Sequence, residues 1–167
     1  MTVDHATTSG LNRGYRVPAD RRSAARRFAA IDAQMRLAAV RRKKLIVALE
    51  AEGMNQKEVA ELASISQAQV SRIVSNADAI SLTDTPSEVI DMRDAGEIDD
   101  REMVEALIEM EYTFDSFPDG GNVAVDAVVP GTWREVERAF HDDRLTFDQY
   151  SEIVRAHRDE LKAAAQR

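Results

Sequence analysis

Hydrophobic residues between positions 20 and 52 recur at alternating three- and four-residue steps, which is the spacing of one face of an α-helix. The row consists of Phe28, Ile31, Met35, Ala38, Leu45 and Leu49. Arg42 interrupts the row, and Gly53 ends the pattern. One continuous helix would present this heptad-like row as a seam for dimerisation. Typical helix lengths favour instead a break near Ala30 into two shorter helices that fold onto the rest of the domain, and the spacing alone leaves both possibilities open.

The next stretch, residues 53–74 with the sequence GMNQKEVAELASISQAQVSRIV, predicts two short helices joined by a turn. Ala60 is the small residue at which the two helices would touch, and Ile65 is the apolar residue that would fill the turn. Ser66 is placed to cap the second helix. The remaining inward-facing residues are predicted to be Val59, Leu62 and Ala63 on the first helix and Val70 and Ile73 on the second.

A polar stretch containing Pro86 follows, and beyond it the chain repeats a pattern of helix, short turn and helix. Residues 87–108 align without a gap with residues 134–155. Few residues are identical between the two segments, so a shared pattern of helical hairpins explains the alignment better than duplication does.

Each of these segments carries a helix start signal after its turn. Asp99 and Thr146 occupy equivalent positions and are predicted N-caps, with Glu102 and Gln149 three residues later to complete capping boxes. The connection between the two hairpins is rich in turn residues, and its AVDAVV segment predicts one short strand without an evident partner.

These patterns predict a mainly α fold with an N-terminal helix-turn-helix domain followed by an acidic domain of two helical hairpins. Only 5% of the residues are aromatic, which suits an aliphatic, alanine-rich helical core. Four segments are expected along the chain. They are a disordered arm over residues 1–19, the helix-turn-helix domain over 20–79, a linker over 80–86, and a partner-binding or oligomerisation domain over 87–167.

The charges are divided unequally between the two halves of the chain, although the formal net charge is −8. Residues 1–80 contain 13 Lys and Arg against 8 Asp and Glu, whereas residues 81–167 contain 9 against 22. This division indicates two surfaces with different partners, one polyanionic and one basic.

Several classes of protein are excluded by what the sequence lacks. Without cysteine it has no disulfide, no thiolate zinc site and no cysteine nucleophile, which fits a cytoplasmic location. No secretion signal and no apolar stretch of about 18 residues is present, so no membrane association is expected. Phosphate-binding loops, nucleophile elbows and HExxH motifs are also absent. We therefore expect neither an enzyme nor a cofactor.

Residues 40–75 resemble the helix-turn-helix of Cro and lambda-type repressors. That family commonly has glycine at the start of the turn, where a left-handed backbone is frequent, and this chain has Ser64 there. The resemblance implies binding of double-stranded DNA, with the second helix, about residues 67–75, as the recognition helix.

The resemblance and the residue types together indicate which side chains contact DNA. Amides on the outward face of the second helix suit bidentate pairing with adenine, and an arginine there suits guanine or phosphate. The glutamine that starts the preceding helix resembles a phosphate-clamping residue, and four consecutive cations add attraction to the DNA backbone. The predicted contacts are Gln56, Lys57, Ser66, Gln67, Ala68, Gln69, Ser71 and Arg72, together with Arg41, Arg42, Lys43 and Lys44.

No metal site is predicted in the acidic half. Residues 91–102 have the outline of a calcium-binding loop, with Asp91 in the first position and Glu102 in the twelfth. The third and fifth positions should supply oxygen ligands, but Arg93 and Ala95 occupy them. The three histidines of the chain are too dispersed for a zinc site.

Methionine and aromatic residues of the acidic half form two apolar clusters. Internal packing of the hairpins is the favoured use, and a groove for a protein partner is the alternative. An acidic surface around such a groove would favour a basic partner. The candidate partner-binding residues are Met103, Met110, Tyr112, Phe114, Phe117, Trp133, Phe140 and Tyr150.

A basic DNA-binding half followed by an acidic helical half resembles the layout of antitoxins from type II toxin-antitoxin modules. That resemblance implies a transcriptional autoregulator whose acidic half binds a basic, toxin-like protein. Two alternatives remain open. One is a stand-alone repressor of the phage or plasmid type, whose second half only oligomerises; the other is an interaction adaptor that does not bind DNA.

Overall fold

The computed structural model describes residues 19–114 and 131–166, and these residues are mainly α-helical, as predicted. No strand forms among them, although an isolated parallel bridge joins Thr113 and Thr132. The AVDAVV segment and Phe117 lie outside the described residues. The α-helices are α1 (Arg21–Ala51), α2 (Gln56–Ala63), α3 (Gln67–Val74), α4 (Pro86–Ala95), α5 (Asp100–Glu109), α6 (Trp133–His141), α7 (Phe147–Ala156) and α8 (Arg158–Ala164), and a 3₁₀ turn spans Ala77–Ala79.

The first helix, α1, is continuous over 31 residues. Asp20 caps its N-terminus, where the carboxylate accepts a hydrogen bond from the backbone N–H of Ser23 at 2.8 Å. The break near Ala30 that typical helix lengths favour does not occur. Neither glycine nor proline lies between residues 21 and 51, and the alanine, arginine and leucine found there are strong helix formers.

The buried face of α1 is not the predicted hydrophobic row. Its buried residues are Ala33, Leu37, Ile46 and Val47. In contrast, four large members of the predicted row are exposed, namely Phe28 (67%), Ile31 (36%), Met35 (67%) and Leu45 (59%). The difference arises because α4, which packs along α1, covers a different face of the helix from the predicted row. The short helices α2 and α3 contact only the end of α1 and leave these four large residues exposed.

The short helices α2 and α3 pack against each other and against the end of α1. Ile46, Val59, Ala60 and Val70 form the buried core of this unit, and Ile65 in the turn packs against it, as predicted. Leu62 is 70% exposed, so its predicted inward position was wrong. Val59, Ala60 and the half-buried Ala63 already supply the inner face of α2.

The turn between α2 and α3 depends on a left-handed residue. Ser64 has φ 52° and ψ 45°, which is the left-handed conformation. The repressor family that this segment resembles commonly has glycine in this conformation. The backbone N–H of Ser64 donates to the carbonyl oxygen of Glu61, and that of Ile65 donates to the carbonyl oxygen of Ala60. The tight turn is therefore kept with a serine in place of glycine.

We expect Ser64→Gly to raise the free energy of unfolding by about 0.5–1 kcal/mol, because glycine adopts a positive φ without the steric cost paid by serine. Urea denaturation of the full chain measures the change. Ser75→Gly is the matched control, since Ser75 has an ordinary helical φ of −62° and gains nothing from glycine. A Ser64→Gly variant no more stable than the wild type would contradict the assignment of strain to this turn.

The two predicted hairpins are present as α4–α5 and α6–α7, and they pack side by side through α4 with α6 and α5 with α7. The predicted N-caps Asp99 and Thr146 are confirmed, and both form complete capping boxes. The shared core consists of Val89, Ile90, Met103, Val104, Leu107, Trp133, Val136, Ala139, Leu145 and Ile153. A final short helix, α8, follows α7 and was not predicted.

Ion pairs connect α1 to the hairpins. Asp91 of α4 accepts a hydrogen bond from Arg36 Nη2 at 2.7 Å and another from Arg144 Nη2 at 2.5 Å. Asp91 is buried, whereas Arg36 is about half exposed. This carboxylate therefore joins α1, α4 and the turn before α7. Asp91, the first residue of the calcium-loop outline, is thus paired with two guanidinium groups.

Candidate nucleic-acid interface

The start of α3 is held by a complete capping box. The Ser66 hydroxyl accepts from the backbone N–H of Gln69 at 3.2 Å, and Gln69 Oε1 accepts from the backbone N–H of Ser66 at 3.0 Å. This reciprocal pair satisfies two backbone donors that the first turn of a helix leaves without intrahelical partners. The prediction of Ser66 as N-cap is confirmed, and α3 begins at Gln67.

The outward face of α3 has the composition that reading of a major groove requires. Val70 is fully buried and Ile73 is half-buried, so these two residues fix which face of α3 points away from the core. The polar residues and the alanine predicted for base contacts are all exposed. They are Gln67, Ala68, Gln69, Ser71 and Arg72.

The two glutamines of α3 nevertheless differ in what their side chains do. Gln69 Oε1 accepts hydrogen bonds from both the backbone N–H and the hydroxyl of Ser66, so its carbonyl oxygen serves the cap. Bidentate pairing with adenine requires the oxygen and the nitrogen of one amide together. Gln67 is therefore the glutamine of α3 that presents an amide outside the capping box.

The helix α2 begins at Gln56, the residue predicted to bind a DNA phosphate. Gln56 is half-buried, while Lys57 is exposed. Asn55 caps this helix, because its Oδ1 accepts from the backbone N–H groups of Lys57 and Glu58 at 3.1 and 3.0 Å. Sequence reasoning missed Asn55, although asparagine directly before a helix is a recognised N-cap signal.

The basic residues at the end of α1 are bound to groups of the same chain to different extents. Arg41 forms a bidentate pair with Glu97, with N···O distances of 2.8 and 2.6 Å. Lys44 lies 2.6 Å from Glu88 Oε1, and its ammonium also donates to the carbonyl oxygen of Thr83.

The other two cations of this basic run differ from Arg41 and Lys44. Arg42 donates to the carbonyl oxygen of Ala63, the last residue of α2. Lys43 is exposed and, within residues 19–114 and 131–166, has no ion-pair partner. Arg42 and Lys43 are thus the predicted cations whose charge is available at the surface without breaking an ion pair of the described chain, and of these two only Arg42 is held by a hydrogen bond to α2.

Hydrogen bonding between Arg41 and Glu97 keeps both groups charged. The bond from the Arg41 guanidinium lowers the pKa of Glu97 below its usual value, and the same bond raises the pKa of Arg41. Because Arg41 and Glu97 are both largely exposed, the pair is screened by solvent and contributes little to stability. A DNA phosphate that binds Arg41 has only this weak internal pair to displace.

The acidic half contains a cleft between the end of α5 and α8. Met110, Tyr112 and Phe114, all proposed from the sequence as partner-binding residues, line the cleft. The Tyr112 hydroxyl donates to the carbonyl oxygen of Leu107 at 2.6 Å, and burial raises the pKa of Tyr112. The cleft has a volume of about 760 Å³, and its acidic lining residues are Glu109, Glu111 and Glu160.

The other proposed partner-binding residues lie deeper in the molecule. Met103 is fully buried and Trp133 is 5% exposed, so both belong to the core of the hairpins. Phe140 and Tyr150 stack with their ring centroids 4.2 Å apart and pack against that core. These four residues therefore stabilise the core of the hairpins. Of the proposed partner-binding residues that the structure describes, those that line the cleft are the ones a partner can reach.

In the described part of the chain, no group of three or more His, Cys, Asp or Glu residues is arranged to hold a metal ion. None of the described helices combines the length and the apolar character needed to cross a membrane.

Residues 46–84 match the helix-turn-helix family model HTH_3. The matched range begins in the last turns of α1 and includes α2, α3 and the 3₁₀ turn, so it contains both helices of the helix-turn-helix, whereas the cations at residues 41–44 precede it. No significant match is found among curated proteins or among solved structures. The family match covers less than half of the chain and does not extend to α4–α8.

Proposed function

Because residues 46–84 form a helix-turn-helix unit of the Cro and lambda-repressor type, the chain is a DNA-binding transcriptional regulator, and we propose that it reads its operator through Gln67, Ser71 and Arg72. The observation that carries this assignment is the exposed polar face of α3 opposite the buried Val70. Gln67 pairs with adenine through its amide, Arg72 takes guanine or a phosphate, and Ser71 donates to either kind of base. Ala68 contacts a thymine methyl group.

Phosphate contacts set the position of α3 in the groove. Gln56 receives one phosphate through its side-chain amide and its own backbone N–H, since Asn55 already accepts from the N–H groups of Lys57 and Glu58. The dipole of α2 favours the anion there, and Lys57 adds a positive charge. Lys43 supplies attraction from the end of α1. These contacts carry little sequence information and make the affinity depend on salt concentration.

The acidic half is the surface for a protein partner. The cleft beside α8 combines a methionine and two aromatic side chains with three glutamates, and this chemistry suits a basic protein that inserts an apolar side chain. Glu109 and Glu111 are exposed, so a cationic partner reaches them without unfolding the core. Charge complementarity of this kind steers association and selects against acidic partners.

Together these two surfaces support an antitoxin-like autoregulator, which represses its own operator through α3 and binds a basic, toxin-like protein through the acidic cleft. A stand-alone repressor would need no acid-lined apolar cleft, and an adaptor would need no exposed amide and arginine face on α3. The cleft is therefore the observation that favours the antitoxin-like autoregulator over the stand-alone repressor.

The experiment that tests the partner proposal is a tagged pull-down of the full chain from its source cells, with mass spectrometry at moderate salt. The wild type is expected to retain a small basic protein whose expression alone arrests growth. A Glu109→Lys/Glu111→Lys variant is expected to lose that protein, because two of the acids at the cleft become cationic. Neither residue touches the DNA-binding unit, so operator affinity should remain within about twofold of the wild-type value.

Glu152→Lys is the matched control, since Glu152 is an exposed glutamate on α7 and does not line the cleft. This control should retain the partner as the wild type does. Recovery of no basic protein, or equal recovery with all three chains, would contradict the partner proposal and leave DNA recognition by α3 unaffected.

A further inference from the structure

A cavity of about 500 Å³ lies between α1, the residues around the end of the 3₁₀ turn, α4 and α6. We propose that it binds a small organic anion, a carboxylate or phosphate that carries an apolar body. The volume is within the range of about 300–1,000 Å³ that small-molecule sites occupy. The cavity is separate from the acid-lined cleft beside α8, with which it shares no lining residue.

The side of the cavity formed by α1 carries two cations with apolar residues between them. Arg36 and Lys43 are seven residues apart, so they lie on the same face of the helix, two turns from each other. Ala39 and Val40 stand between them on that face. A ligand that packs its body on Ala39 and Val40 therefore has a positive charge at either end of it.

Both cations have donors that the fold leaves unused. Lys43 is exposed and, in the described part of the chain, makes neither a hydrogen bond nor an ion pair. Arg36 binds Asp91 through Nε and Nη2, and its Nη1 donates to no described residue. The Ser87 hydroxyl, which also lines the cavity, makes no hydrogen bond within residues 19–114 and 131–166. An anionic oxygen can accept from these groups without breaking a bond of the protein.

The carboxylates around the cavity are bound by donors of the protein. Glu88 Oε1 lies 2.6 Å from Lys44 Nζ, and Glu88 Oε2 accepts from the backbone N–H of Thr85 at 2.9 Å. Both oxygens of Glu135 accept from backbone N–H groups, at 3.0 and 2.5 Å. Asp91 is paired with two guanidinium groups, as described above. These carboxylates therefore hold the walls of the cavity together.

The exposed charges at the cavity are all positive. Arg36, Lys43 and Arg138 are exposed, whereas each lining carboxylate is buried. A positive rim of this kind attracts anions and repels cations. A cationic ligand or a metal ion would also have to displace the donors that the buried carboxylates already hold. The electrostatics of the cavity therefore select an anionic ligand.

Apolar surface for the body of the ligand comes from two segments of the chain. Ala79 ends the 3₁₀ turn and Ile80 follows it, and both line the cavity together with Val40 of α1. Val40 and Ile80 are half-buried, so each has surface left for a ligand. Contact of an aryl or alkyl group with these residues removes apolar surface from water. An inorganic anion would gain nothing from this contact, so an organic anion is favoured.

Ligand binding at this cavity opposes DNA binding, because one cation belongs to both sites. Lys43 lines the cavity and is also the residue proposed to attract the DNA backbone from the end of α1. An anion that pairs with Lys43 removes this charge from the reach of a phosphate. The antagonism rests on the proposed DNA-binding function, whereas the binding of the ligand does not.

Titration of the ¹⁵N-labelled full chain, followed by amide chemical shifts, tests the site without DNA. The probes are 2-naphthoate, octanoate and phenyl phosphate, with 2-naphthamide as the neutral counterpart of the first. At least one anion is expected to bind with a dissociation constant of about 0.1–1 mM, as ligands of this size do. The shifts should be largest within residues 39–44 and 79–88. The neutral 2-naphthamide should bind at least about tenfold more weakly than 2-naphthoate, because it lacks the charge-assisted hydrogen bonds.

Ala39→Glu is expected to weaken binding of the anion at least about tenfold, because it places a carboxylate on the apolar side of the cavity. Ala38→Glu is the matched control, since the two alanines are adjacent and exposed on α1 but only Ala39 lines the cavity. Lys43→Gln should likewise weaken binding at least about tenfold, through loss of a charged donor. Lys57→Gln removes an exposed lysine that does not line the cavity and should leave anion binding unchanged. Glutamate and glutamine are strong helix formers, so all four variants are expected to fold.

Fluorescence anisotropy with a scrambled duplex, at matched ionic strength, tests the antagonism. A saturating anion is expected to raise the Kd of the wild type for this duplex roughly threefold to tenfold, which is the effect of losing one phosphate contact. The same anion should not change the Kd of Ala39→Glu, which does not bind it at that concentration. An unchanged affinity of the wild type with the anion bound overturns the antagonism.

Absence of chemical-shift changes with all three anions at about 10 mM overturns the ligand site. Equal binding by Ala39→Glu and the wild type also overturns it, since the anion must then bind elsewhere. Equal binding of 2-naphthoate and 2-naphthamide overturns the selection of an anion. These titrations contain no DNA, so their failure is distinguishable from failure of the proposed DNA-binding function, which a wild type that binds no duplex would show.

Discussion

Gln67→Ala is expected to weaken binding of the operator by about 1–3 kcal/mol, or about 5- to 150-fold in Kd, while binding of random DNA changes little. Gln67 is the first residue of α3 and is exposed, and its amide is not used by the capping box. Fluorescence anisotropy with the operator and with a scrambled duplex at one fixed salt concentration measures both affinities.

Gln69→Ala provides the informative comparison, because its side chain is occupied within the protein. Loss of the Gln69 Oε1 acceptor removes one half of the capping box with Ser66, so this variant is expected to lose about 0.5–1 kcal/mol of stability. Its affinity for the operator and for random DNA should fall together. If Gln67→Ala also weakened both duplexes equally, Gln67 would be a positioning residue and base reading by α3 would rest on Arg72 and Ser71.

Asp91→Asn is expected to lower the free energy of unfolding by about 2–4 kcal/mol, because a buried carboxylate that pairs with two arginines is replaced by a neutral amide. Asp91 is 6% exposed and joins Arg36 of α1 to Arg144 of the second hairpin. This expected loss of stability is smaller than the loss for a fully buried ion pair, because Arg36 remains about half exposed to water. Urea denaturation at neutral pH measures the loss.

Glu105→Gln is the control for Asp91→Asn, because it removes one carboxylate from the exposed pair with Arg101 on α5. That pair is solvated, so no change beyond experimental error is expected. Equal stability of Asp91→Asn and the wild type would contradict the view that this carboxylate holds α1 against both hairpins.

Much of the DNA-binding unit could be predicted from the sequence, because its determinants are local. The caps Ser66, Asp99 and Thr146 act within three residues of themselves, and the small residue Ala60 and the turn residue Ile65 stand at fixed distances along the chain. Capping residues and the helical spacing of apolar residues, both of which can be recognised in a short stretch of sequence, therefore identified α2, α3 and both hairpins.

The role of α1 could not be predicted in the same way, because periodicity shows that a helix has an apolar face but does not show which neighbour covers which face. The residues that α1 buries include Ala33 and Leu37, which are outnumbered by larger apolar residues on the exposed side. Their burial depends on α4, which follows about fifty residues later in the chain. The pairing of Arg36 with Asp91 likewise has no local signal.

The same limit applies to the surface charge of the candidate DNA interface. Counting Lys and Arg indicated four cations at the end of α1, but Arg41 and Lys44 are paired with Glu97 and Glu88 from the acidic half. Net charge along a sequence cannot show such pairing, because it does not record which opposite charges the fold brings together. The acid-lined cleft was also out of reach, since α8, which forms one side of it, was not predicted.

The ion pair between Arg41 of α1 and Glu97, in the turn after α4, has a thermodynamic consequence for regulation. A basic protein that takes the exposed Glu97 as its own partner releases Arg41, and the released guanidinium is available to a DNA phosphate. DNA that captures Arg41 leaves Glu97 free for the basic protein. Linkage requires the two effects to be equal in free energy, so operator and partner would then each increase the affinity for the other by one common factor. Operator occupancy by such a chain would rise with the partner's concentration until steric overlap or excess partner limits it.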